Sequence, residues 1–165
     1  CSVQREFIQW LNRGRGLERL RRYAEALAAY DQASQIDAHS DDLWRRRGNV
    51  LYRLEQYEAA IASFQQALQL QPNNGDAWYG LGSSQVRLKQ YREALTSFQQ
   101  VARLNPDNHV AWYWQARALR ELQQFSAALP CFDRAIELKP DFEPAIRDRQ
   151  QMQNQMVAAS LPLSL

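Results

Sequence analysis

Apolar residues recur along the chain at i, i+3, i+4 and i+7, the period of an amphipathic helix, in stretches of about 13 residues, and no segment alternates as a strand would. One stretch runs from Asp76 to about Lys89 and the next from about Tyr91 to Leu104, with a short turn between them. Asn105, Pro106, Asp107 and Asn108 then break the chain before the pattern resumes. The pairs of stretches are copies of one unit, because Trp10, Trp44, Trp78 and Trp112 stand 34 residues apart.

The same interval carries Ala26, Ala60, Ala94 and Ala128, then Tyr30, Phe64, Phe98 and Phe132. It carries small residues at Gly14, Gly48, Gly82 and Ala116, and again at Ala33, Ala67, Val101 and Ala135. Further apolar columns hold Leu20, Leu54, Leu88 and Leu122, then Tyr23, Tyr57, Tyr91 and Phe125. Pro72, Pro106 and Pro140 close three units where Ala38 closes the first. Small columns predict close helix approach, and aromatic columns predict filled gaps between neighbouring units. One helix pair cannot bury both its faces, so the pattern predicts a stacked solenoid with nearest-neighbour energetics.

With W-x2-L-G-x2-Y, then A-x3-F, then A and P on a 34-residue period, the chain resembles the tetratricopeptide repeat family, most closely where Ala77, Trp78, Tyr79, Gly80, Leu81 and Gly82 follow one another. Arg47 and Gln115 depart from it, standing where Leu is expected three residues after the Trp. The resemblance implies an all-α fold, a right-handed superhelical solenoid of antiparallel helix pairs. The expected organisation is a lead-in over 1–6, repeats over 7–40, 41–74, 75–108 and 109–142, a capping helix over 143–157 and an extended tail over 158–165. Pro144 suits the first turn of that capping helix, and Ala145, Ile146, Met152 and Met156 supply its stripe. No comparable polar cap is legible before Trp10. Pro130 falls inside a predicted second helix, at small cost if Ser126 is the N-cap.

Composition narrows the function. With 45% hydrophobic and 23% charged residues the chain can build a core without staples, and its longest uncharged apolar stretch, Met156 to Leu165, is too short to span a bilayer. Cys1 and Cys131 allow one bridge at most, and with two His they make no zinc site of the usual spacing, so no metal or cofactor is expected. No nucleophile elbow, phosphate loop or metalloprotease motif occurs, His39 and His109 read as turn residues, and Cys131 reads as a half-buried thiol. Asp41, Asp42, Glu55 and Glu58 are spaced as helix-end charges and not as an acid/base pair. No catalytic residue is assigned, and the chain reads as a non-enzyme.

In this family the first helices of successive repeats line the concave face, so the resemblance implies that partner contacts cluster around each Trp. The candidates are Arg15, then Arg45, Arg46, Asn49, Tyr52 and Arg53, then Tyr79, Ser83 and Arg87, then Tyr113, Trp114, Arg117 and Arg120. Although the net charge is only +2, this face collects eight Arg, including Arg19, against four acids. Arg beside Tyr and Trp is the composition of binding hot spots. The expected function is a protein-interaction module, adaptor or scaffold, taking an acidic or C-terminal peptide. The two-carboxylate clamp of one subclass is incomplete in either frame: one finds Arg45 and Asn49 but then Gly80, Val110 and Trp114, the other Leu11, Arg15, Arg46, Asp76 and Gly80.

Two other functions compete. Repeat ends open to solvent would let copies stack into a homo-oligomer. Related helical repeats read single-stranded RNA, but the small net charge disfavours nucleic acid. Cytoplasm is the default compartment, and an N-terminal Cys1 is compatible with a processed or lipidated end.

Overall fold

The structure is a computed structural model that describes residues 1–162. Among the described residues the elements are all helical: α1 (Ser2–Arg19), α2 (Tyr23–Ile36), α3 (Asp41–Arg53), α4 (Tyr57–Leu70), α5 (Gly75–Arg87), α6 (Tyr91–Leu104), α7 (His109–Glu121), α8 (Phe125–Leu138) and α9 (Glu143–Ser160). They divide into two compact units, Cys1–Lys89 with α1 to α5 and a second from Gln90 with α6 to α9. Inside each unit every helix packs on the next in sequence, as a repeat array requires.

The two helix types start differently. The first-type helices α3, α5 and α7 are capped by side chains, unlike α1: Ser40 accepts from the Leu43 amide at 3.2 Å, Asn74 from Ala77 at 3.1 Å, and Asn108 from both Val110 and Ala111. Second-type helices begin at Tyr23, Tyr57, Tyr91 and Phe125 without a side-chain cap. Each follows a turn whose middle residue is left-handed, Arg21, Glu55, Lys89 or Gln123, with φ between 58° and 61°. The Trp column does more than fill space. The indole N–H of Trp44, Trp78 and Trp112 donates to the carbonyl of Ala38, Pro72 and Pro106, at 2.8 to 2.9 Å, and ties each first-type helix to the linker before it. A carbonyl is all this bond needs, which is why Ala38 substitutes for Pro.

In the first unit Phe7, Ala26, Tyr30, Ala33, Leu43 and Val50 form one buried cluster, and Leu51, Ala60, Phe64, Ala67, Ala77 and Leu81 belong to a second. In the second unit Phe132, Ala116, Ala128, Ala135, Ala145 and Met152 lie in a third. Phe64 is the clearest case of the size columns at work. A Cβ on Gly48 would stand 2.8 Å from its ring, and one on Gly80 would overlap it.

Four expectations need correction. Residues 2–6 are the first turn of α1, because the Arg5 amide reaches the Cys1 carbonyl at 3.2 Å and Phe7 is anchored in the core. The last helix continues through Ala158, Ala159 and Ser160, ending where Leu161 precedes Pro162 and is pushed out of the helical region. The remainder of the expected tail, 163–165, lies outside the described residues. The N-cap of α8 is Gln124 and not Ser126, so Pro130 sits past the first turn and leaves the Ser126 carbonyl without its helical donor. Polar residues before and around Trp10 do lie on the first helix. Where α3 buries Leu43 and Val50 against α2, α1 has Gln9 and Gly16, flanked by exposed Asn12 and Arg13.

The last helix keeps the same register. Ala145 and Met152 occupy the columns of Leu43 and Val50 and are fully buried, whereas exposed Gln150 stands where Gly48 and Ala116 are approached closely by a second helix.

Candidate functional site

In the first unit the candidate face runs along α1, α3 and α5, and its cations fall into two classes. Arg45 and Arg46 share one carboxylate, reaching the two oxygens of Asp42 at 2.6 and 2.9 Å. Burial alone would raise the Asp42 pKa, but the hydrogen bonds from Arg46 and Arg45 outweigh it and hold the carboxyl below its ordinary range. Arg46 also approaches Glu18 at 4.0 Å, and Glu18 accepts from the Tyr30 hydroxyl at 2.6 Å. Burial first, and that bond second, push the Tyr30 pKa well above its usual value. Both arginines are therefore held by the protein's own acids.

The second class is uncommitted. Arg15, Arg19 and Arg53 make no ion pair among the described residues, and Arg19 and Arg53 are exposed. Arg87 is exposed too. Its Nε donates to the Tyr57 hydroxyl at 2.9 Å, its guanidinium lies 5.2 Å from the centre of that ring, and Tyr52 meets Tyr57 edge-on at 5.4 Å. Tyr79 is 37% exposed on α5, Asn49 is half-buried on α3, and Ser83 donates its hydroxyl to the Tyr79 carbonyl at 2.9 Å. Gly80, which the frame around Trp78 puts on this face, faces Phe64 instead.

The second unit closes most of its share of the face. Tyr113 is 5% exposed and belongs to the core, a correction to its place among the partner contacts. The cause is α9, whose Asp148 is itself buried and accepts from the Tyr113 hydroxyl at 2.5 Å. Burial, then this bond, raises the Tyr113 pKa. Arg117 lies over the Trp114 ring at 4.9 Å, with its Nε 3.8 Å from Asp148 and without a hydrogen-bond partner. Trp114 in turn stacks on Phe98 at 5.9 Å. Arg120 is largely covered, 3.7 Å from Glu121. These residues latch α9 onto α7 and leave little aromatic surface for a partner.

The departures from the repeat pattern acquire a reason: buried Gln115 donates to the Phe98 carbonyl at 3.4 Å, and Arg47 and its counterpart on the last helix make ion pairs. Arg47 reaches Asp31 on α2 and Ser63 on α4, both at 2.7 Å, so one guanidinium joins three helices. Arg149, in the same column of α9, binds Asp133 of α8 at 2.6 Å. A single sequence hides both pairings, because the acids lie 16 positions away on another helix. Asp148 was equally hidden, although the 34-residue register places it in the column of Arg46 and Trp114.

Among the described residues no three His, Cys, Asp or Glu side chains converge as metal ligands, His109 packs against Phe142, and burial raises the Cys131 thiol pKa away from the reactive thiolate. No described helix is long and apolar enough to cross a membrane.

Comparison with known families and structures agrees with the repeat reading. A model described as TPR repeat matches residues 48–89, and one described as Tetratricopeptide repeat matches residues 79–141. No curated protein sequence matches. Among solved structures, MamA 41-end from Desulfovibrio magneticus RS-1 has 22% identity and a TM-score of 0.88, covering 92% of this chain and 85% of its own. MamA AMB-1 has 23% identity and a TM-score of 0.82, over 91% and 82%. YrrB, titled a TPR protein with an unusual peptide-binding site, has 23% identity and a TM-score of 0.64, over 86% and 90%.

Proposed function

This chain belongs to the tetratricopeptide repeat family, and from that premise we propose that it is a non-catalytic adaptor or scaffold whose first unit holds an acidic or C-terminal peptide. The repeats make it a protein-interaction module. The observation that carries the finer reading is the division among the arginines. Arg45 and Arg46 share Asp42, while Arg15 and Arg53 make no ion pair among the described residues and Arg87 lies over Tyr57, which meets Tyr52 edge-on. Aromatic bodies next to uncommitted guanidinium groups suit a peptide carrying carboxylates. The peptide-binding site in YrrB's title makes a peptide the natural ligand class to test first.

The competing readings have less support. Nucleic acid needs uncompensated positive charge, and Asp42 and Asp148 offset part of it at Arg45, Arg46 and Arg117. End-to-end stacking needs apolar faces on α1 and α9, and there exposed Val3, Ile8, Ile146 and Val157 are interspersed with Gln9, Asn12 and Gln150.

The test is capture of partners from lysate by the wild-type chain beside an Arg53→Glu, Tyr79→Ala double variant and an Arg147→Glu control of equal helicity. Partners should disappear from the double variant and persist with the control. Equal capture by all three would refute the proposed face.

A further inference from the structure

The uncommitted cations have an order that the candidate list alone does not show. Arg19, Arg53 and Arg87 are the last residues of α1, α3 and α5, one per repeat, at the same position in each. All three are exposed, and in the second unit the column changes sign to Glu121. The row is therefore confined to the first unit. A cation at a helix C-terminus complements the dipole, but that role places no requirement on the next repeat and none on a Tyr platform. Arg87 has such a platform: Tyr57 holds its Nε, so the terminal nitrogens are presented edge-on from a fixed plane.

We infer that this rim reads an extended acidic segment with carboxylates at every third residue, in the polyproline II conformation. The inference rests on the peptide-binding reading above and adds the ligand's spacing. α3 and α5 pack directly, and packed helices stand about 8–10 Å apart, which sets the step from Arg53 to Arg87, with Arg19 one repeat further along the row. A polyproline II chain rises about 9 Å in each turn of three residues, and so presents residues i, i+3 and i+6 on one side at a matching step. A β-strand would turn every third residue to the opposite side. Glu55, in the turn after α3, is an acid on the same rim and attracts Arg87 at longer range. It competes with the ligand, and its removal should tighten binding.

The probe is a fluorescein-labelled peptide of three Glu-Pro-Pro triplets, measured by anisotropy against the full chain. Its comparison is an isomer of the same composition with the three Glu contiguous. The triplet peptide should bind at least about fivefold more tightly than the isomer. Arg19→Gln, Arg53→Gln and Arg87→Gln should each weaken it by about two- to fivefold, while Arg45→Gln changes it by less than about twofold. Glu55→Gln should strengthen binding, and added salt should weaken it. Equal binding of the two isomers would overturn the spacing, and so would an intact affinity in the triple Arg variant. Tighter binding of a single-stranded oligouridylate than of the triplet peptide would also overturn it, in favour of nucleic acid. If the rim variants are silent while Tyr79→Ala still loses captured partners, the rim inference falls and the peptide-binding reading stands.

Discussion

At the scale of single residues, burial and distance decide what each repeated position does. Phe64 is fully buried between the backbones of Gly48 and Gly80, so a methyl group on Gly80 has to displace the ring. Gly80→Ala should cost about 1–3 kcal/mol of stability, read from denaturant melts, whereas Gly16→Ala, whose Cβ meets nothing, should not destabilise. The Gly48 column was legible as a close approach, but Gly80 was not, because helical geometry alone puts it on the partner face. The tyrosines offer a pH test. Tyr30 and Tyr113 have raised pKa values from burial and from hydrogen bonds to Glu18 and Asp148. Their neutral forms favour the folded state, so this stability is complete below the unfolded tyrosine pKa of about 10 and is lost as pH rises above it. Tyr30→Phe should flatten the fall in melting temperature above about pH 10. A fall as steep as in the wild type would show that Tyr30 does not contribute to it.

At the scale of elements, the turn inside each repeat has one backbone geometry and four different side chains. Arg21, Glu55, Lys89 and Gln123 all adopt the left-handed conformation that glycine adopts without strain. Nothing in the residue types announces this, which is why the sequence places a short turn there but not its φ. Lys89→Gly and Gln123→Gly should each stabilise by about 1 kcal/mol, seen as a rise in melting midpoint without a change in denaturant slope. The helices themselves were legible, because the 3.6-residue period is a local feature, whereas the one cap expected, at Ser126, is not the N-cap of α8. The bounds at both ends of the chain were not. Residues 2–6 are helical through the anchoring of Phe7 in the core, and α9 reaches Ser160 because its burial of Ala145 and Met152 extends the helix beyond its polar middle.

At the scale of the whole molecule, α1 exposes Gln9, Asn12 and Arg13 and α9 exposes Gln150 and Asn154, and polar residues separate the exposed Val3 from Ile8 and Ile146 from Val157 along each helix. The chain should therefore sediment as a monomer across roughly the micromolar range, since stable self-association needs a larger apolar patch. A mass rising with concentration would return end-to-end stacking to consideration. The charge of the candidate face also belongs to this scale: eight arginines along the first-type helices read as one positive surface, yet Asp42 on the same helix holds Arg45 and Arg46, and Asp148 on α9 lies against Arg117. The sequence by itself determined the repeat, the helix pairs, the buried Ala and aromatic columns and the family, because each depends on periodicity within the chain. Only the tertiary structure decided which cations remain available, that Tyr113 is core, and that Arg47, Asp148 and Arg149 join helices. The contacts made by Tyr113, Arg47, Asp148 and Arg149 depend on distances between side chains from different helices, which a one-dimensional period does not supply by itself; once one such pair is known the period carries it along, as from Asp31 and Arg47 to Asp133 and Arg149.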